Sequence, residues 1–187
     1  MNIFYLHNDP RICAEMHCDK HVVKMIIEYA QLMSTAHRVL DGNEYIDLTT
    51  NGRRIKRWRL FDDREQLLMK ASHINHPSGV WCRSNSSNYE WLYQMWQYLC
   101  DEYTHRYGKV HSCARLDYIL CMTPDRIKDG EFYSPPPAMP DECKIPNNSL
   151  DSYRKYYIEK KSHFAKWSKR NIPLWYSQTL NINDAHV

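Results

Sequence analysis

The sequence predicts a mainly α protein: one compact domain of about five helices, with a small hairpin insertion and a long proline-rich loop. Three observations predict it. Residues 9–40 carry a polar stripe at steps of three and four, the spacing of one helix face. Residues 85–106 carry Tyr89, Trp91, Leu92, Trp96, Leu99 and Tyr103 at the same period. The dipeptide Asn51-Gly52 reads as a hairpin turn between two short extended arms. At 187 residues, 43% hydrophobic and 25% charged, the chain is long enough for one sizeable core.

Taken in order, residues 1–8 form an extended lead-in, and Asp9-Pro10 starts the long central helix with an N-cap and a first-turn proline. That helix is expected to run unbroken to Leu40, with Asp41-Gly42 closing it. The hairpin follows; its second arm, Arg53–Arg59, holds five cations in seven residues, which reads either as a solvated loop or as a phosphate grip. Residues 60–72 read as a short amphipathic helix that stops before Pro77. Asn85 or Ser86 caps the aromatic helix, and Gly108 ends it. His111–Cys121 is a further short helix, 122–149 the proline-rich loop, and Leu150–Trp167 the last helix. Trp175 and Tyr176 fall on an extended segment, and 177–187 are expected to be a flexible tail.

The opening stripe carries the functional signal. His21, Lys24, Glu28, Gln31 and Thr35 share a face, while Val22, Met25, Ile26, Ala30, Leu32 and Met33 lie between them. Burying a carboxylate, an amine and an imidazole in an apolar helix is costly unless they pair or face a wet cleft. The stripe therefore describes either an internal Lys24–Glu28 ion pair with a core histidine, or the floor of an active site. In the second case Glu28 acts as a general base or electrostatic partner, Lys24 supplies an amine, and His21 orients or shuttles a proton.

Seven cysteines without a secretory leader read as free thiols. Cys13, His17, Cys18 and His21 mimic a zinc spacing, yet one helix cannot aim all four at one ion; neither a metal nor a cofactor is expected. No apolar run reaches membrane length and the opening MNIFYLHNDP is not a signal peptide, so a cytoplasmic protein is expected. A net charge of +3 permits a polyanionic partner without requiring one. The 14 Tyr and 6 Trp suit both core and stacking roles.

Three motifs in order resemble the bacteriophage and bacterial pyrimidine-dimer DNA glycosylases. They are His21 followed seven positions on by Glu28, Asn75-His76-Pro77 followed by Trp81 and Arg83, and Pro173-Leu174-Trp175-Tyr176. The stretches CDKHVVKM and HRYGK also resemble small phage proteins, which would place the chain in the cytoplasm of a bacterial host. The resemblance implies a helical DNA enzyme in which Glu28 is the catalytic carboxylate and Trp175-Tyr176 contact DNA. It also implies a target nucleotide flipped from double-stranded DNA. Asn75 and His76 would then line the cleft, Trp81, Trp175 and Tyr176 would stack on bases, and Arg83 would hold phosphates. Two departures stand out. That family attacks the sugar C1′ with the α-amine of a small residue exposed by loss of Met1, but here residue 2 is Asn; and the arginines beside its catalytic Glu are replaced by Ile27 and Gln31. Three functions follow: a glycosylase for a damaged or modified pyrimidine, a transferase joining an amino acid or similar amine to an activated thymine in phage DNA, or a non-enzymatic nucleic-acid-binding module.

Overall fold

The computed structural model describes residues 1–184, with side chains placed through Thr179. Helix α1 (Pro10–Glu15) and helix α2 (Asp19–Asp41) open the chain where one helix was expected. Asp9 caps α1 by accepting from the Arg11 and Ile12 amides, as its position suggests. The helix then breaks because Cys18 is extended and the buried His17 finds tertiary partners instead. Its ring nitrogens pair with the Cys13 carbonyl and the Tyr29 hydroxyl, both at 2.8 Å. Asp19, freed at the new helix start, binds Arg106 and Ser168.

The lead-in is fully integrated. Ile3, Phe4, Tyr5 and Leu6 are all buried, and the Phe4 amide donates to Tyr29 at 3.1 Å. Burial of Ile3 and Leu6 contributes about 2 kcal/mol each, enough to hold the first residues against α2. This places Met1 on the polar stripe.

Strands β1 (Asn43–Leu48) and β2 (Arg54–Arg59) form the expected antiparallel hairpin, in register from Asn43↔Arg59 to Leu48↔Arg54. Gly52 takes φ +73° at its tip, a conformation that favours glycine. At the other end Gly42 is needed for space: a Cβ there would lie 2.5 Å from the Arg38 carbonyl. Helix α3 is a single turn, Arg64–Leu67, not the longer helix expected over 60–72. Buried Arg38 of α2 takes up the Leu68 and Met69 carbonyls and the Glu65 carboxylate, which holds 65–69 in an irregular path.

Helix α4 (Pro77–Cys82) starts at a His76 cap, and α5 (Ser86–Tyr107) runs from the Asn85 cap to Gly108 at φ +66°. Both α4 and α5 pack on α2, and Trp96 bonds the Ile26 carbonyl at 2.9 Å. A 3₁₀ turn (Ser112–Leu116) and helix α6 (Asp117–Leu120) share the expected 111–121 helix. The proline-rich loop contains one short 3₁₀ turn, Asp141–Cys143. Helix α7 (Ser149–Lys161) ends a turn and a half before Trp167, whose indole is drawn inward to the Met16 carbonyl. Helix α8 (Leu174–Asp184) replaces the extended segment expected at Trp175-Tyr176 and occupies most of the expected tail; 185–187 lie outside the described residues. The result is a mainly α domain whose core is the α2–α4–α5 contact, closed on one side by Tyr153 and Tyr157 of α7.

Candidate active site

The polar stripe of α2 is divided by depth. His21 is buried and stacked on Phe4, with ring centroids 4.1 Å apart, and its Nδ1 pairs with the Tyr157 hydroxyl. Burial, with smaller contributions from the neighbouring His17, Lys161 and Lys24, pushes its pKa down to about 2, so the ring is neutral. Gln31 and Thr35 face the segment before α4: Gln31 donates to the Lys70 carbonyl at 2.9 Å, and the Thr35 hydroxyl accepts the Ser72 amide. Between these ends lies Glu28.

Glu28 is not sealed in. Its side chain keeps 20% of its surface exposed and borders a hollow of about 140 Å³ shared with Met1, Phe4, His21, Lys24 and Lys161. One carboxylate oxygen lies 3.2 Å from Lys24 Nζ and the other 4.0 Å from the Met1 amino nitrogen. The Lys24 side chain is 70% exposed, whereas the Met1 side chain is only 11% exposed and so anchors the residue that carries the α-amine. His76, half-buried, approaches from the α4 side. Burial lowers its pKa first, then the Met1 ammonium and His73, against an opposing pull from Glu28. Its Nδ1 accepts the Ser78 amide at 3.2 Å, which fixes the ring while capping α4.

Beyond His76 a larger cavity of about 520 Å³ opens between β2 and residues 71–76. Asn75 lines it and is exposed. Arg83 stands behind this segment and donates to the Ile74 carbonyl at 2.6 Å, which makes it a support for the loop instead of the phosphate ligand expected.

Three expected stacking residues belong to the core. Trp81 is 2% exposed, with its indole bonded to the Tyr133 carbonyl and its ring against Trp91 and Phe132. Tyr176 is buried against Trp167, and half-buried Trp175 packs edge-on to Tyr157 with Arg154 over its face. Trp81 and Tyr176 therefore have no exposed ring to offer a base, while Trp175 keeps part of its ring at the surface. Arg38 is the residue that reading by pattern passed over. Arg38 continues the stripe one step of three beyond Thr35, and that spacing was the available signal.

A family model for pyrimidine dimer DNA glycosylase matches residues 1–115. The chain belongs to the pyrimidine dimer DNA glycosylase family. The match covers α1 through α5 and so includes Met1, Glu28 and Asn75-His76-Pro77. No curated protein and no solved structure gives a significant match to the chain. Family membership makes a glycosylase-like enzyme acting on DNA the coarse functional statement. Among the described residues no helix is long and apolar enough to cross a membrane, and no group of three or more His, Cys, Asp or Glu is arranged to hold a metal ion.

Proposed function

We propose that this pyrimidine dimer DNA glycosylase family member removes a damaged or modified pyrimidine from DNA, with Glu28 as the catalytic carboxylate. The observation that carries the reading is the placement of Glu28, open to a hollow and between two amines, with the Met1 nitrogen at 4.0 Å. An α-amine has an ordinary pKa of about 8, so it offers a free-base fraction that a surface lysine does not. The amine attacks C1′ of the target sugar. The C1′–base bond breaks, and the base leaves with its electron pair and takes up a proton. Loss of the amine proton and opening of the sugar ring give an imine, which water hydrolyses. Glu28 receives the amine proton and stabilises the cationic sugar on the way.

The large residue at position 2 argues for Met1 itself as the nucleophile, and its low exposure supports that role: the lead-in packs tightly enough to aim the nitrogen. Lys24 stays in reserve as an exposed amine one turn away. His21, neutral and locked to Tyr157, shapes the wall of the hollow and does not carry a proton at neutral pH.

Incubating the full chain with duplex DNA containing a thymine dimer, in the presence of borohydride, tests the reading. A covalent protein–DNA adduct that maps to residue 1 is expected. An adduct on Lys24 would transfer the role of nucleophile, and the absence of any adduct removes imine chemistry. Nucleoside mass spectrometry separates the transferase alternative, in which a small amine or amino acid joins the base: a heavier nucleoside, with no free base released, would replace the glycosylase reading.

A further inference from the structure

The lead-in is a buried extended segment that belongs to no sheet. Residues 1–8 pair with no strand and make no backbone-to-backbone hydrogen bond among the described residues. Buried amides and carbonyls need partners, so here side chains supply them. The Phe4 amide donates to the Tyr29 hydroxyl at 3.1 Å, and the Cys13 thiol donates to the Phe4 carbonyl at 3.3 Å. The Leu6 amide donates to the same sulfur, and Arg154 donates to the Leu6 carbonyl. The clamp at Phe4 lies three residues from Met1, a span of at most about 11 Å. Ile3, between them, is fully buried, which leaves that span little freedom.

The hydroxyl that holds Phe4 is itself aimed. His17 Nδ1 lies 2.8 Å from the Cys13 carbonyl, which can only accept, so Nδ1 carries the ring proton. Nε2, 2.8 Å from the Tyr29 oxygen, therefore accepts the hydroxyl proton. A lone pair of that oxygen is then left facing the Phe4 amide. His17 and Tyr29 are both fully buried, so water does not compete for these bonds. Burial pushes the His17 pKa down to about 4, which keeps the ring neutral and this arrangement intact at pH 7.

Tyr29 is also the residue after Glu28 on α2. One helix thus carries both the carboxylate and the hydroxyl that fixes the segment bearing the α-amine. We infer that Tyr29, oriented by His17, is a positioning residue that sets the separation between the Met1 nitrogen and Glu28, 4.0 Å in this structure. It acts through the lead-in and not on the reacting atoms. The inference rests on the reading of Met1 as the nucleophile and adds what aims it. Removing the hydroxyl leaves α2 and Glu28 in place and releases the Phe4 amide, so the loss falls on the rate of attack and not on DNA binding.

Tyr29→Phe removes that one oxygen. Tyr89→Phe is the matched control: Tyr89 is also buried, its hydroxyl pairs with His37 Nε2 at 2.8 Å and the Leu120 carbonyl at 3.0 Å, and it has no bond to the lead-in. A purely structural role would cost the two variants alike. Tyr29→Phe is expected to slow single-turnover excision from a thymine-dimer duplex about 100-fold at pH 7, the scale for misplacing a reacting group by about 1 Å. Its affinity for that duplex is expected to stay within about twofold of the wild type, and Tyr89→Phe to keep the excision rate within about threefold. Without DNA, acetic anhydride is expected to acetylate the Met1 α-amine, relative to Lys24, several times faster in Tyr29→Phe than in the wild type. A Tyr29→Phe rate close to that of the wild type, or an equal loss in the two variants, would overturn the inference. Should Tyr29→Phe fail to fold, His17→Leu and His17→Gln decide. The first removes the acceptor for the Tyr29 hydroxyl and is expected to slow excision about tenfold or more; the second restores an acceptor and is expected to recover most of the rate. Equal rates in those two would overturn it as well. A wild-type chain that forms no borohydride adduct at residue 1 defeats the Met1 reading and this inference together. An adduct at residue 1 that forms equally fast in Tyr29→Phe sinks this inference alone.

Discussion

Glu28 contributes little to holding the molecule together. Its partner Lys24 is 70% exposed, and a pair of that kind on a helix surface is worth about 0.3–0.5 kcal/mol. Glu28→Gln is therefore expected to leave the melting temperature within about 2 °C of wild type. If the carboxylate does the work proposed here, excision of a thymine dimer falls by about 100-fold or more. Differential scanning fluorimetry and a gel-based excision assay check the two halves. Loss of stability in step with activity would return Glu28 to a structural role. The buried histidines behave oppositely. Burial pushes His17 and His37 down to about 4 and His21 to about 2. Their folded pKa values lie below the unfolded value of about 6.5, so the unfolded chain binds the extra protons. The stability they confer is fully present above pH 6.5 and is lost as pH falls towards 4, at up to about 1.4 kcal/mol per pH unit for each ring. Urea midpoints measured at pH 7, 6 and 5 should fall steeply; a flat series would mean the rings are protonated or exposed in the native state. At this scale the carboxylate was legible because its spacing on α2 is helical and its neighbours are apolar. The burial of Trp81 and Tyr176 and the partial burial of Trp175 were not legible, because an amphipathic ring looks the same in sequence whether its polar edge meets water, a base or a backbone carbonyl. Their partners, Tyr133, Tyr157 and Trp167, lie 52, 18 and 9 residues away in the chain.

The elements around the site are positioned by side-chain-to-backbone bonds that hydrophobic periodicity does not reveal. Arg38 is the strongest case. Its guanidinium is buried and donates to the carbonyls of Trp58, Glu65, Leu68 and Met69 as well as to the Glu65 carboxylate. One side chain thus ties α2 to β2, to α3 and to the loop that leads to His76. Arg38→Met keeps much of the volume but strands those acceptors, so a loss of about 3–5 kcal/mol is expected in denaturant unfolding. A loss under 1 kcal/mol would show that water replaces the guanidinium. The hairpin and the ends of α5 were legible because their signals are local: Asn51-Gly52, Asn85 and Gly108 act on their own backbone. The α1–α2 break and the shortening of α3 were not, because no glycine or proline marks them. His17, Asp19 and Arg38 make them through partners distant in the chain.

On the scale of the whole molecule, the family match stops at residue 115, but the structure does not. Tyr153 and Tyr157 of α7 are completely buried, and Trp167 and Tyr176 complete the same side of the core. Tyr157 also fixes the ring of His21, and Tyr156 and Lys161 form the outer wall of the hollow beside Glu28. Arg106 and Arg170 share the buried Glu102 carboxylate, and Arg106 reaches Asp19, which in turn holds Ser168. The C-terminal third is thereby clamped to the end of α1 and the start of α2 from outside while its tyrosines enter from within. Residues 1–115 alone would expose the faces of Phe4, Cys18 and His21 and deprive Glu102 of Arg170 and Asp19 of Ser168. Each large side chain withdrawn from the core forfeits about 1.5–3 kcal/mol, and the four named here together approach the 5–15 kcal/mol total stability of a typical domain. A chain cut after residue 115 is therefore expected to lose cooperative unfolding, with broad circular-dichroism melts and exposed tryptophan fluorescence. If it instead melts as sharply as the full chain, the segment after 115 is an accessory, and the site at Glu28 stands without its outer wall.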